Sequence, residues 1–343
     1  MYPVLEEYLE QYRYIEPCDL IKFCYQSVMG PGHMAPSCQA SAERISKELA
    51  ESTRRDEKTS VYQMLEGEAA RLDIDSGISP ESLGALFCLT AKTWPRESSV
   101  CRVFEMLEDR RVQSSMPFGH EALLDCIADW RRAGCPAVSH SETYKEHYRA
   151  HYRIVMKQYL PYLKAIASIE HLPNPAVVAI DGMCGAGKST LADVLGYVFD
   201  AEIVHMDDFF LPFEMKTKER LAEAGGNIHY ERFIAEAANM IKSGEAFSYG
   251  VYDCAEGRVM GRQCIKPSKI VIVEGSYSIN PHIPDIYDLK IFVETDKEKQ
   301  LSRIENRSGN DMLEKFKSVW IPLEERYFQT FNVRNKCDII VRT

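Results

Sequence analysis

The residues best suited to chemistry form one short run, Gly182-Met183-Cys184-Gly185-Ala186-Gly187-Lys188-Ser189, which fits the spacing GxxxxGK[ST]. Small residues let a backbone curl with its N–H groups inward, and a helix starting where the run ends adds the positive end of its dipole. Such a cradle holds the terminal phosphates of a nucleoside triphosphate. The expected contacts are Gly182, Gly185, Ala186, Gly187, Lys188, Ser189 and Thr190, with Lys188 reaching the β and γ phosphates and the Ser189 hydroxyl completing a magnesium site. ATP and Mg2+ are the expected cofactors. GTPases, ATP-driven machines and small-molecule kinases share this loop, so the loop alone does not fix what receives the phosphate.

Later residues narrow the chemistry. Met206-Asp207-Asp208-Phe209-Phe210 places two carboxylates at the end of an apolar run, where a strand would deliver them to the ligand-binding edge of a sheet. Asp207 is the expected base toward an acceptor hydroxyl, and Asp208 the partner that orients magnesium, water or substrate. Glu274 follows the apolar run Ile270 to Val273 and is expected in the magnesium shell with Ser189. Arg303 and Arg307, four apart on a helix, share a face and could close over the phosphates as charge develops. Lys216 and Arg220 lie in the polar stretch FEMKTKERLAEAGG; if they line the cleft, the acceptor is acidic or phosphorylated.

Positioning these groups requires strands that alternate with helices. AVVAI (176–180), AEIVHM (201–206), KIVIVEG (269–275) and LKIFVET (289–295) read as buried strands, with helices over 188–199 and 230–241. The fold class expected is an α/β P-loop domain with a mainly parallel sheet, over residues 173–343, preceded by a mainly helical domain over 1–172. The prolines of His171-Leu172-Pro173-Asn174-Pro175 mark the boundary.

The first part carries helical periodicity. Leu5, Leu9 and Tyr12 begin one stripe and Leu20, Phe23 and Cys24 a second, closed by Gly30-Pro31-Gly32-His33. Helices are further expected over 37–49, 60–72, 79–90, 98–107 and 119–132, several led by a capping serine. One long helix is expected over 141–169, with Tyr144, Tyr148 and Tyr152 on one stripe and His147 and His151 on the next. No alternating strand pattern stands out. The Gly30 turn, with Glu66, Glu68 and Arg71 on a nearby helix, is a candidate for a second functional loop, with a plain turn and core packing as the alternative.

The motifs DGMCGAGKST (181–190), HMDDFF (205–210), VYDCAEG (251–257), VEGSY (273–277), LSRIENR (301–307) and FKSVWIPLEERYF (316–328) together resemble the uridine kinase and phosphoribulokinase branch of P-loop kinases. The resemblance covers about residues 175–343. It implies that Asp207 is the base, that Tyr252 lies near the acceptor, and that Arg303 and Arg307 contact the nucleotide phosphates. The chain departs from the nucleoside enzymes where Asn227-Ile228-His229-Tyr230-Glu231 puts His229 in place of an aspartate, and where Cys254-Ala255-Glu256-Gly257-Arg258 lacks their histidine. His229 and Arg258 are therefore candidates, with Asp208 and Tyr252, for holding an acceptor that need not be uridine.

Composition sets the limits. Of 343 residues, 45% are hydrophobic and 27% charged, which describes a globular protein. The formal charge of −10 argues against a nucleic-acid partner. The first residues lack a signal-peptide pattern and no apolar run suits a membrane, so a cytoplasmic location is expected. Eleven scattered cysteines without a CxxC pair read as free thiols. The expected activity is ATP-dependent phosphorylation of a hydroxyl on a nucleoside, sugar or related metabolite, with homo-oligomerisation left open. The alternative is a nucleotide-dependent regulatory or RNA-binding protein that uses a kinase-like fold.

Overall fold

The computed structural model describes residues 2–31, 37–52, 60–95 and 99–343, which divide into two compact units, Met1–Leu160 and Pro161–Thr343. No described helix is long and apolar enough to cross a membrane.

The N-terminal unit is mostly helical. It contains α1 (Pro3–Gln11), α2 (Pro17–Met29), α3 (Cys38–Glu51), α4 (Pro80–Thr93), α5 (Val100–Leu107), α6 (Arg110–Ser115), α7 (His120–Arg132) and α8 (Glu142–His147). Serine caps start several of them: Ser37, Ser79 and Ser99 accept from Ala40 N, Ser82 N and Cys101 N. The stripe residues Leu5, Leu9, Leu20, Phe23 and Cys24 are fully buried in one cluster.

Two of the expected helices do not form. The 60–72 segment is instead a hairpin of β1 (Tyr62–Met64) and β2 (Ala69–Asp73), with Gly67 at φ +65° in its turn. The 141–169 segment holds only the short α8 and, after a further turn, α9 (Leu163–Ile169); between them β3 (Tyr152–Met156) pairs antiparallel with β2. The stretch YRIVM is rich in β-branched and aromatic residues, and its partner lies about eighty residues upstream. The tyrosine spacing of four is therefore shared between a helix and a strand. Glu66, Glu68 and Arg71 belong to this hairpin rather than to a helix, while Gly32 and His33 lie outside the described residues.

The C-terminal unit is built on five parallel strands in the order β10-β9-β4-β8-β5: β4 (Ala176–Gly182), β5 (Glu202–His205), β8 (Ile270–Glu274), β9 (Leu289–Glu294) and β10 (Ile339–Arg342). A separate hairpin of β6 (Phe247–Asp253) and β7 (Arg258–Ile265) completes the strands. Besides α9, its α-helices are α10 (Lys188–Phe199), α11 (Lys218–Ala222), α12 (Tyr230–Phe233), α13 (Asn239–Ser243), α14 (Lys297–Ser308), α15 (Asn310–Lys315) and α16 (Ile321–Phe331). Parallel pairing buries the central strands on both faces, so Val178, Ala179, Ile180, Ile272, Val273 and Ile291 are inaccessible to solvent. The C-terminal ends of β4, β5 and β8 consequently deliver Gly182, His205 and Glu274 to one edge.

Candidate active site

Strand β4 runs straight into the glycine-rich loop. Gly182 stands at φ +135°, and a Cβ there would lie 2.1 Å from the Val293 carbonyl oxygen on β9, so only glycine lets the loop leave the sheet at this angle. Gly187, at φ +91°, starts α10, and Lys188 is the first residue of that helix. The Lys188 ammonium donates to Gly182 O (2.9 Å), Met183 O (3.1 Å) and Ser276 Oγ (3.1 Å), which holds it over the loop. Ala186 is buried, whereas Ser189 and Thr190 are exposed.

Two buried carboxylates shape the loop from behind. Asp181 accepts from the N–H groups of Gly182 (2.7 Å), Tyr277 (3.2 Å) and Ile279 (3.0 Å) and from the Tyr327 hydroxyl (2.8 Å). Burial nonetheless pushes its pKa up to about 6, against the pull of these donors and of Lys188. Glu324, on α16, accepts from Cys184 N (2.9 Å) and from Ser276 Oγ (2.5 Å). Gln300 on α14 donates to Cys184 O (2.9 Å). These acceptors and donors occupy the loop from its outer side and fix its curl.

At the sheet edge, Ser189 Oγ lies 3.3 Å from both carboxylate oxygens of Glu274, and His205 Nδ1 lies 2.6 Å from Glu274 Oε1. The hydrogen bond to Glu274 raises the His205 pKa. Asp207 follows β5. Its side chain is open to solvent; desolvation raises its pKa, Lys188 opposes, and Glu274 and Glu324 add to the rise. Among the described residues its carboxylate has no hydrogen-bond partner. Lys188, Ser189, Glu274 and Asp207 are thus brought into one electrostatic neighbourhood. The serine hydroxyl and the glutamate carboxylate are hard oxygen donors, and their proximity fits a magnesium ion that keeps most of its waters.

Asp208 is more tightly held than Asp207. The Tyr249 hydroxyl donates to its carboxylate (3.1 Å), and Arg232 donates to its backbone oxygen and to Gly250 O (2.6 Å). Tyr252, on β6, is nearly buried; Lys216 donates to its hydroxyl (3.3 Å) and lies over the Phe213 ring at 4.7 Å. The hairpin turn docks on this segment, because Phe213 N donates to Gly257 O (3.0 Å). The pKa of the Cys254 thiol there is raised by burial first and then by the Asp207 charge, which places the turn beside Asp207.

Other candidates are engaged elsewhere. His229 caps α12, its ring accepting from Arg232 N (3.2 Å). Arg220 is taken up by Gly226 O, Ile228 O, Tyr230 and Glu231. Arg258 is exposed, 3.5 Å from Glu256. Arg303 reaches Gly185 O (3.5 Å) and Thr343 Oγ1 (2.8 Å), behind the loop, and Arg307 lies exposed near the Phe316 ring. Asp181, Ser276, His205 and Glu324 were not among the site residues expected from sequence. Glu324 had a legible signal: it falls on the stripe Ile321, Glu324, Phe328, Phe331, where a carboxylate among apolar residues must find donors.

Residues 177–312 match the model of the Phosphoribulokinase / Uridine kinase family. The chain is 25% identical to the uridine kinase of Chlamydia pneumoniae over 181 residues, 48% of this chain and 80% of that enzyme. It is 24% identical to the deoxyadenosine/deoxycytidine kinase of Bacillus subtilis (strain 168) over 192 residues, 50% of this chain and 83% of that one. The structure of a possible uridine kinase from Bacillus stearothermophilus is matched with a TM-score of 0.42 at 16% identity, covering 54% of this chain and 100% of that chain. The resemblance carried by the motifs is thus met in the C-terminal half, which is similar to small-molecule kinases of this family. The N-terminal unit lies outside the family match, which begins at residue 177.

Proposed function

We propose that this chain is an ATP-dependent kinase that transfers a γ-phosphoryl group to a hydroxyl of a nucleoside, sugar or related metabolite. The observation that carries the reading is the placement of the Lys188 ammonium and the Ser189–Glu274 pair at the start of α10, with the unbonded Asp207 carboxylate across the same sheet edge. In this reading the triphosphate lies against the N–H groups of 182–190, and the acceptor hydroxyl sits above Asp207. Asp207 takes the hydroxyl proton, the acceptor oxygen bonds to the γ phosphorus, and the bond to the β–γ bridging oxygen breaks, leaving ADP. A raised carboxyl pKa makes Asp207 a stronger base toward the acceptor hydroxyl. Ser189 and Glu274 would hold magnesium, which when bound supplies charge neutralisation on the β and γ oxygens.

Lys188 stabilises the charge that spreads over the transferring group, and Arg303 and Arg307 are proposed to assist from α14 once that helix closes on the loop. Lys216 and Tyr252 are proposed to hold the acceptor, with Asp208 fixing the floor through Tyr249. The departures at His229 and Arg258 leave the acceptor wider than uridine. ATP consumption against a panel of nucleosides, sugars and vitamins, with mass detection of the phosphorylated product, is the decisive assay. We expect transfer to at least one member; a full panel without ADP formation, together with nucleotide-dependent binding of a protein partner, would replace catalysis with a regulatory role.

A further inference from the structure

The N-terminal unit holds a cavity of about 460 Å³, within the range of roughly 300–1,000 Å³ common for small-molecule sites. Its charged lining consists of Lys22, Arg44, Glu48 and Arg153. Glu48 and Arg153 neutralise each other in a two-pronged pair at 2.9 and 3.0 Å. Lys22 and Arg44 form no ion pair among the described residues, and the Lys22 ammonium donates only to the Val138 carbonyl (2.6 Å). Two cations without an ion pair among the described residues therefore face one cavity in a chain whose formal charge is −10.

A third cation stands behind the wall. Arg71 on β2 is 2% exposed, has no acidic partner, and leaves one terminal nitrogen without a hydrogen bond among the described residues. It donates to Gln26 Oε1 and Gln63 Oε1, both at 2.9 Å, and lies over the Tyr152 ring at 4.8 Å. The buried carboxylate Asp19 is engaged instead by His140 Nδ1 (2.7 Å) and by Ser141 N and Oγ. A buried guanidinium surrounded by neutral groups projects its field into the adjoining space, because little solvent screens it. Lys22 registers this field: burial first, then Arg71, lowers its pKa to about 8.

The wall also fixes polar groups. Gln26 Oε1 receives Arg71, so the amide must turn its NH2 away from the guanidinium. Tyr152 Oη lies 2.7 Å from His140 Nε2 and 3.2 Å from Gln26 Oε1, which locks that ring into place. Gln26, His140 and Tyr152 all line the cavity, as do the apolar surfaces of Tyr25, Phe87 and Ile154.

We propose that this cavity binds a small organic oxyanion, a phosphate- or carboxylate-bearing metabolite whose charge meets Lys22 and Arg44 and whose body lies against Tyr25 and Phe87. The volume exceeds that of a bare inorganic ion, which is why the ligand has an organic body. The site is independent of the phosphate loop, so failure of the kinase reading would leave it standing. Titration calorimetry on the full chain with pyrophosphate and, separately, citrate tests it, in a Lys188→Ala background that removes the lysine of the other site. Saturable binding with a dissociation constant of about 1 mM or tighter is expected for at least one anion, and the tighter of the two identifies the head group. Lys22→Met should weaken that binding about tenfold and Arg44→Gln about threefold. Arg44 is exposed, so its variant decides the question if Lys22→Met fails to fold. Absence of saturable binding by either anion up to about 10 mM, or parental affinity in the folded variants, would overturn the proposal.

Discussion

In the C-terminal unit the buried Asp181 is wrapped in three N–H donors and a tyrosine hydroxyl, whereas in the N-terminal unit the buried Arg71 is wrapped in aromatic rings and two glutamine oxygens. The first ties down backbone donors around a buried acid, and the second leaves a buried cation without an ion pair among the described residues. The buried acids Asp181 and Glu324 occupy donors on the outer side of the loop and so fix the direction of the N–H groups that remain. Arg71 acts through its own uncompensated charge. Local geometry is the product of the first design, and field is the product of the second.

The largest effect that would sharpen this comparison concerns the loop. Lys188→Ala should lower phosphotransfer by roughly 10³–10⁵-fold, the scale of one cation on a transferring phosphoryl group, with an unchanged circular dichroism spectrum. Full turnover in the folded variant would remove the loop from the chemistry. Next, Asp207→Asn should reduce kcat by roughly 10²–10⁴-fold with little change in KM for ATP, since the base acts on the acceptor. A loss confined to KM would make Asp207 a binding group instead.

Stability separates the two units further. Asp181→Asn turns an acceptor of four hydrogen bonds into a group that presents donors to donors, so a loss of roughly 2–4 kcal/mol in denaturant unfolding is expected. Arg71→Met removes a charge that no acid among the described residues balances but also the donor to Gln26 and Gln63, and should cost about 1 kcal/mol, less than Asp181→Asn. Equal losses at the two positions would dissolve the distinction.

The smallest effect is a difference in sign. His140 is depressed to about 4 from 6.5 by burial, so the folded N-terminal unit binds fewer protons than the unfolded chain between those values. Its contribution is present above pH 6.5 and is lost as pH falls toward 4. Asp181 is raised to about 6 from 3.8, so its contribution grows as pH falls through the same interval. Each slope is at most about 1.4 kcal/mol per pH unit. Hydrogen exchange read unit by unit should show opposite trends between about pH 4 and 6, abolished by His140→Gln and Asp181→Asn; parallel trends would contradict it.

The parallel strands of the C-terminal unit were legible because burial on both faces leaves continuous apolar runs, and the loop was legible because glycine, lysine and serine occupy fixed offsets. The helices led by Ser37 and Ser79 were legible from their caps. The 60–72 hairpin and β3 were not, since short strands with mixed patterns resemble helical stripes until their partners are known. The placement of Arg303 behind the loop and the use of His229 as a helix cap were equally invisible, because neither spacing nor residue type fixes which way a polar side chain turns.

What the sequence determined by itself was local: a glycine-rich turn between a strand and a helix, a lysine and a serine at its end, and acidic residues closing apolar strands. Those features depend on backbone conformation and on period, which neighbouring residues dictate. The tertiary structure alone decided which carboxylate is held and which, among the described residues, is left unbonded, that Glu324 reaches the loop from about 140 residues away, and that Arg71 is buried with no acidic partner among those residues. Such outcomes depend on distances between segments far apart in the chain, and buried charge acquires its meaning only from the groups that packing brings around it.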